Sequence, residues 1–222
     1  LLKAKELGED QGNNLDTIYF NLAGVEMLKK DFTSILYWLS KINNTETFTK
    51  FHYFRGVANY QNGNIHEATM DLISALEIDP RNADIYFHLG LILYETGSFN
   101  DALPIFEEAV KLTPGATAYH IALANVLEKV NRNKQSLTHF TIAKNQEPEN
   151  LHALLGMANL NFKLGKYQTS INLFQKVLDE DRNSPDAYYG MGNVFYAQKQ
   201  YDDATENYSR SIKLNPNFAP AY

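Results

Sequence analysis

Prolines recur at Pro80, Pro114 and Pro148 with a spacing of 34 residues, and again at Pro216, 68 residues further on. A fixed period of this length constrains a chain strongly, because each unit is then one supersecondary element that must bury its apolar face on its neighbours. Aligned on that period, Ala68, Ala102, Ser136, Ser170 and Ala204 share one position. Four residues later stand Leu72, Phe106, Phe140, Phe174 and Tyr208. Small residues also recur upstream at Gly56, Gly90, Ala124, Ala158 and Gly192, and downstream at Ala75, Ala109, Ala143, Val177 and Ser211.

Each unit carries two apolar stretches of helical period. Gly63, Gly97, Asn131, Gly165 and Lys199 split them, at a point suited to the left-handed residue that ends a helix. The unit is therefore a helical hairpin. In residues 83–116, Tyr86, Leu89, Gly90 and Leu93 share one face of the first helix, and Ala102, Phe106 and Ala109 one face of the second. The small side chains let the axes approach while the large ones fill the gaps beside them. The proline past the second helix stops it and turns the chain into the next unit.

The pattern Tyr86-x2-Leu89-Gly90-x2-Leu93, then Ala102-x3-Phe106, then Pro114, resembles the tetratricopeptide repeat. Tyr188-x2-Met191-Gly192-x2-Phe195, Ala204-x3-Tyr208 and Pro216 repeat it. The expected fold is all-α, a right-handed superhelical solenoid of antiparallel helix pairs. Five units fall at 49–82, 83–116, 117–150, 151–184 and 185–218. A degenerate unit at 15–48 has its turn near Lys30, with Ser34 and Ile35 both open as its small position. Residues 1–14 form an N-terminal helix or loop, with 8–14 read as a polar loop, and 219–222 start a further truncated repeat or capping helix. Tyr222 stands where the next repeat has its first large residue, so the array is expected to continue past it or to be covered by a neighbour. Arg55 and Asn59 interrupt the first-helix face of unit 49–82, and Arg182 replaces a terminal proline.

Several chemistries find no support. With 20 Lys and Arg against 26 Asp and Glu, the chain lacks the basic excess that binding a phosphate backbone demands. Without cysteine, it holds no disulfide, thiolate metal site or cysteine nucleophile. The apolar runs are far shorter than the roughly 20 residues of a membrane helix. The histidines form no His-Glu-x-x-His motif, and His52 and His120 fall at the helix-face position of Tyr86 and Tyr188. Gly165-Lys166 lacks the companions of a phosphate loop. No catalytic residue, metal or cofactor is expected, and the chain is read as soluble, leaning to the cytoplasm.

Function is then expected on the surface. Counting positions from the first residue of each unit, so that Tyr86 is position 4, the first helices carry a second stripe at positions 2, 5, 9 and 12. In similar repeats the first helices line a concave groove that binds peptides. Here the stripe carries Tyr53, Tyr60, Phe87, Tyr94, Phe162, Tyr189 and Tyr196, which either face a partner or pack against adjoining repeats. Asn125, Asn159 and Asn193 form a row on it at intervals of 34. A row of amides suits the backbone of an extended peptide, and equally suits bridging between helices. The Lys/Asn/Arg clamp by which similar co-chaperones grip acidic tails is missing: its positions hold Tyr53, Val57, His88, Ala118 and Ala122.

The expected function is a scaffold or adaptor that holds an apolar or aromatic-containing peptide or protein segment. Two alternatives stand beside it. One is the substrate-recruiting region of a larger enzyme such as a glycosyltransferase. The other is a self-associating component of a secretion, motility or trafficking assembly, a homo-oligomer through uncapped ends.

Overall fold

The structure, a computed structural model, describes residues 8–216, with side chains from Leu15 onward. The expectations for residues 1–7 and 219–222 lie outside the described residues. Twelve α-helices and one short 3-10 turn, Thr45–Thr47, account for the regular structure described, and no strand occurs among these residues. The helices are α1 Gly8–Lys29, α2 Phe32–Leu39, α3 Phe51–Gln61, α4 Ile65–Ile78, α5 Ala83–Glu95, α6 Phe99–Leu112, α7 Thr117–Lys129, α8 Asn133–Gln146, α9 Leu151–Lys163, α10 Tyr167–Glu180, α11 Pro185–Ala197 and α12 Tyr201–Leu214. They pair as consecutive hairpins, the all-α arrangement expected. The chain divides into two compact units, residues up to Thr113 and residues from Pro114 onward.

The turn between the two helices of each hairpin lies where the sequence places it. Gly63, Gly97 and Gly165 have φ of 80°, 80° and 72°, and Asn131 and Lys199 take the same left-handed conformation at 60° and 62°. Lys30 matches them at 59°. A single left-handed residue reverses the chain and satisfies the last carbonyls of the first helix: the Gly97 amide donates to Tyr94 O and the Ser98 amide to Leu93 O.

Inside each hairpin the small positions are places of close approach. A Cβ added at Gly90 would stand 2.6 Å from the Phe106 ring. Where serine holds the small position of the second helix, its hydroxyl is used: Ser136 Oγ donates to Ala124 O and Ser170 Oγ to Ala158 O, both at 2.8 Å. Buried hydroxyls are thereby satisfied.

A fourth small position, absent from the sequence reading, emerges at position 6. A Cβ at Gly156 would lie 2.3 Å from the Phe140 ring of the preceding hairpin, and one at Gly190 2.1 Å from Phe174. In both, position 8 of the preceding repeat is alanine, Ala124 and Ala158, and its second helix carries a phenylalanine. The extra methyl there shifts the ring onto the next repeat, and a glycine receives it.

The N-terminal hairpin corrects two sequence expectations. Residues 8–14 belong to α1 and form no loop, so the 1–14 boundary falls within a helix. The open register resolves to Ile35, which is fully buried, while Ser34 lies in the first turn of α2, where its amide donates to Oδ1 of the capping residue Asp31 at 3.0 Å. With Lys30 as the turn residue, Asp16 is position 1 and the unit starts one residue later than 15. Asp16 is buried, accepting the amides of Asn43 at 3.1 Å and Asn44 at 2.9 Å.

The polar interruption in unit 49–82 also has a physical reason. Arg55 Nε donates to both oxygens of buried Asp71 at 2.9 Å, Arg55 Nη2 donates at 2.6 Å and Asn59 Nδ2 at 3.1 Å. The guanidinium also lies over the Phe51 ring, 5.0 Å from its centroid. A hydrogen-bonded charge pair here joins α3 to α4.

Candidate partner-binding face

The first helices of successive hairpins lie side by side within each unit, α3 with α5, and α7 with α9 and α9 with α11. Equivalent positions on them therefore form rows, which is how the sequence stripe becomes a surface.

In the first unit the stripe is largely ring on ring. Tyr53 and Tyr60 both stand edge-on to His88, at centroid distances of 5.7 and 6.4 Å. His88 lies at position 6, off the stripe, so the sequence offers it only as an occupant of a missing clamp and not as a partner of these rings. Its Nδ1–H donates to Asp84 O at 2.7 Å, and burial pushes its pKa below the ordinary value of 6.5. The Tyr60 hydroxyl donates to Glu95 Oε1 on α5 at 2.5 Å, and burial, with this carboxylate, raises the Tyr60 pKa. Burial, then the charge of Asp84, raises that of Tyr53. Phe87 packs on Phe106 at 6.1 Å and Tyr94 on Phe99 at 5.3 Å. All four stripe aromatics are half-buried, and Val57, at position 9, is buried.

The second unit is more open and more polar. Asn125 is half-buried and Asn159 exposed, and no hydrogen bond to either side-chain amide is found among the described residues. Asn193 differs: its Oδ1 accepts the Tyr208 hydroxyl at 2.8 Å. Phe162 packs on Tyr167 at 6.0 Å and Tyr189 on Tyr208 at 5.8 Å. Tyr196 stands edge-on to Tyr201 at 5.8 Å and is 61% exposed. Glu128 and Lys163, one hairpin apart, form an ion pair between α7 and α9. The structure thus divides the predicted set into half-buried rings held by neighbours, one exposed ring, and two amides with unused donors and acceptors.

His120, His139 and His52 are held by neighbouring groups. His120 is buried, its Nε2–H donates to Pro114 O at 2.9 Å, and its Nδ1 faces His139 Nδ1 at 3.0 Å. His52 Nδ1 lies 3.4 Å from the Asp71 carboxylate. Among the described residues no group of three or more His, Asp or Glu is placed to hold a metal ion, and no helix is long and apolar enough to cross a membrane.

The hairpin geometry agrees with comparison to known proteins. Family profiles described as tetratricopeptide repeat match residues 83–116 and 185–218, and one described as TPR repeat matches residues 56–97 and 158–199. The chain belongs to the tetratricopeptide repeat family. No curated protein matches it.

Solved structures with the same fold include PilF of Pseudomonas aeruginosa, at TM-score 0.76 and 17% identity over 95% of this chain and 96% of that one. YrrB, described as a TPR protein with an unusual peptide-binding site, aligns at TM-score 0.65 and 19% identity over 86% and 95% of the two chains. A MamA segment from Desulfovibrio magneticus RS-1 aligns at TM-score 0.69 and 17% identity over 77% and 96%. The repeats support a protein-interaction scaffold, and arrays of this family are in general non-catalytic.

Proposed function

We propose that the face formed by α7, α9 and α11 holds an extended peptide segment, with Asn125 and Asn159 bonding its backbone and Phe162, Tyr189 and Tyr196 receiving apolar or aromatic side chains. The observation that carries this reading is the pair of uncommitted amides at one repeat position on adjacent helices. An amide offers both a donor and an acceptor, so a row of them matches a backbone whatever its side chains. Asn193 lends its remaining NH2 donors while Tyr208 holds its oxygen in place. YrrB shows by its description that an array of this fold carries a peptide site.

The test is selection of ligands from a random-peptide library, followed by anisotropy titration of the selected peptides against wild type and the triple variant Asn125→Ala, Asn159→Ala, Asn193→Ala. At about 1 kcal/mol for each net hydrogen bond, the triple variant is expected to bind at least tenfold more weakly. Its helical melt is expected to stay cooperative. Unchanged affinity would sink the assignment.

A further inference from the structure

Asn125, Asn159 and Asn193 hold position 9 of α7, α9 and α11, which pack side by side, so the amide row runs across the helices rather than along one of them. Packed helix axes lie about 8–10 Å apart. The Glu128–Lys163 pair, which bridges α7 and α9 one turn beyond this row, shows the same close approach. A peptide bonded by all three amides therefore has to offer an equivalent group, on one and the same side, every ~8–10 Å.

A β-strand does not meet that requirement. It rises about 3.3 Å per residue and turns successive residues to opposite faces, so one side recurs at about 6.6 Å and then about 13 Å. A polyproline II helix has three residues per turn at about 3.1 Å each, so one side recurs every ~9.3 Å. Its backbone makes no internal hydrogen bond, and every carbonyl is open to a donor.

The state of Asn193 points the same way. Its Oδ1 is taken by the Tyr208 hydroxyl at 2.8 Å, which leaves this amide only N–H groups to give a ligand. What the three positions share is donation to carbonyls, and proline keeps its carbonyl while having no N–H to satisfy. The rows at positions 5 and 12 stand on either side of the amides, with Leu155 and Tyr189 in one and Phe162 and Tyr196 in the other. Proline-rich segments dock in aromatic-lined grooves of this kind. We infer that the ligand of this face is a proline-rich segment in the polyproline II conformation. It crosses one helix every three residues, and Asn125, Asn159 and Asn193 donate to its carbonyls i, i+3 and i+6. This ligand class rests on the peptide-binding reading of the face.

The probes are fluorescein-labelled oligoprolines of four, seven and ten residues and a Gly-Ser decapeptide, titrated by anisotropy against wild type and the triple variant Asn125→Ala, Asn159→Ala, Asn193→Ala. Decaproline is expected to bind wild type at least about tenfold more tightly than the flexible Gly-Ser decapeptide, because its backbone is already in the bound conformation. The triple variant is expected to bind decaproline at least about tenfold more weakly than wild type does. Affinity is expected to rise more from four to seven prolines than from seven to ten, since seven residues in this register reach all three amides. Decaproline that binds wild type no more tightly than the Gly-Ser decapeptide overturns the inference, and that comparison needs no variant. So does a gain from seven to ten prolines as large as that from four to seven, or decaproline binding that a folded triple variant leaves unchanged. Where such a failure comes with library-selected peptides that still lose affinity in the triple variant, the proline-rich class alone falls. Where those peptides keep their affinity, the peptide-binding reading falls with it.

Discussion

At the scale of single residues, the fold depends on which side of an aromatic ring has room for a methyl group. Phe174 is fully buried between Ala158 of its own hairpin and Gly190 of the next. Gly190→Ala would put a Cβ 2.1 Å from the ring, so the ring or a helix must move. A destabilisation of about 1–3 kcal/mol is expected, in the usual range for overpacking. Urea unfolding of the single variant measures it, and an unchanged midpoint would show that the ring is freer than its burial implies. The small residues at positions 8, 20 and 27 were legible because they repeat down a column. Position 6 was not, since its column reads Phe54, His88, Ala122, Gly156 and Gly190, and its glycines make sense only beside the alanine of the repeat before.

At the scale of elements, the α7–α8 hairpin contains a pair of histidine rings, one buried and one half-buried, whose protons are constrained. His120 spends its Nε2–H on the Pro114 carbonyl, which leaves Nδ1 as the acceptor for His139 Nδ1–H. A second proton on His120 would break that bond. Burial, and then the charge His120 would carry, hold the His139 pKa below its ordinary value of 6.5. A depressed histidine pKa means that the folded chain takes up a proton less readily than the unfolded one. The contribution to stability is therefore complete above about pH 6.5 and is lost as the pH falls through the lower folded value. His88, depressed mainly by burial, acts in the same direction. Circular dichroism melts are expected to show a midpoint that falls on acidification from pH 7 toward pH 5, with a shallower fall in His139→Gln. Equal slopes would remove His139 from the account.

At the scale of the molecule, stability in a repeat array is the sum of hairpins and the interfaces between neighbours. The α1–α2 hairpin has the weakest claim: α2 is 8 residues long where the other second helices have 14, and α1 leaves Ile18 and Val25 uncovered. Under conditions that keep the chain monomeric, native-state hydrogen exchange is expected to be fastest in α1 and α2 and slowest in α9 and α10, which have hairpins on both sides. Uniform protection along the chain would contradict nearest-neighbour additivity.

The sequence alone determined the 34-residue hairpin, its turn residue and the alternation of small and large positions, because helix period and left-handed turns are written in residues close along the chain. The register of the first unit, the ring room at Gly190, the capture of Asn193 by Tyr208 and the burial of Val57 beside the exposure of Tyr196 were decided only by tertiary structure. Each of these depends on which side chain arrives from another helix, and the burial of a stripe residue is a property of its neighbour as much as of itself.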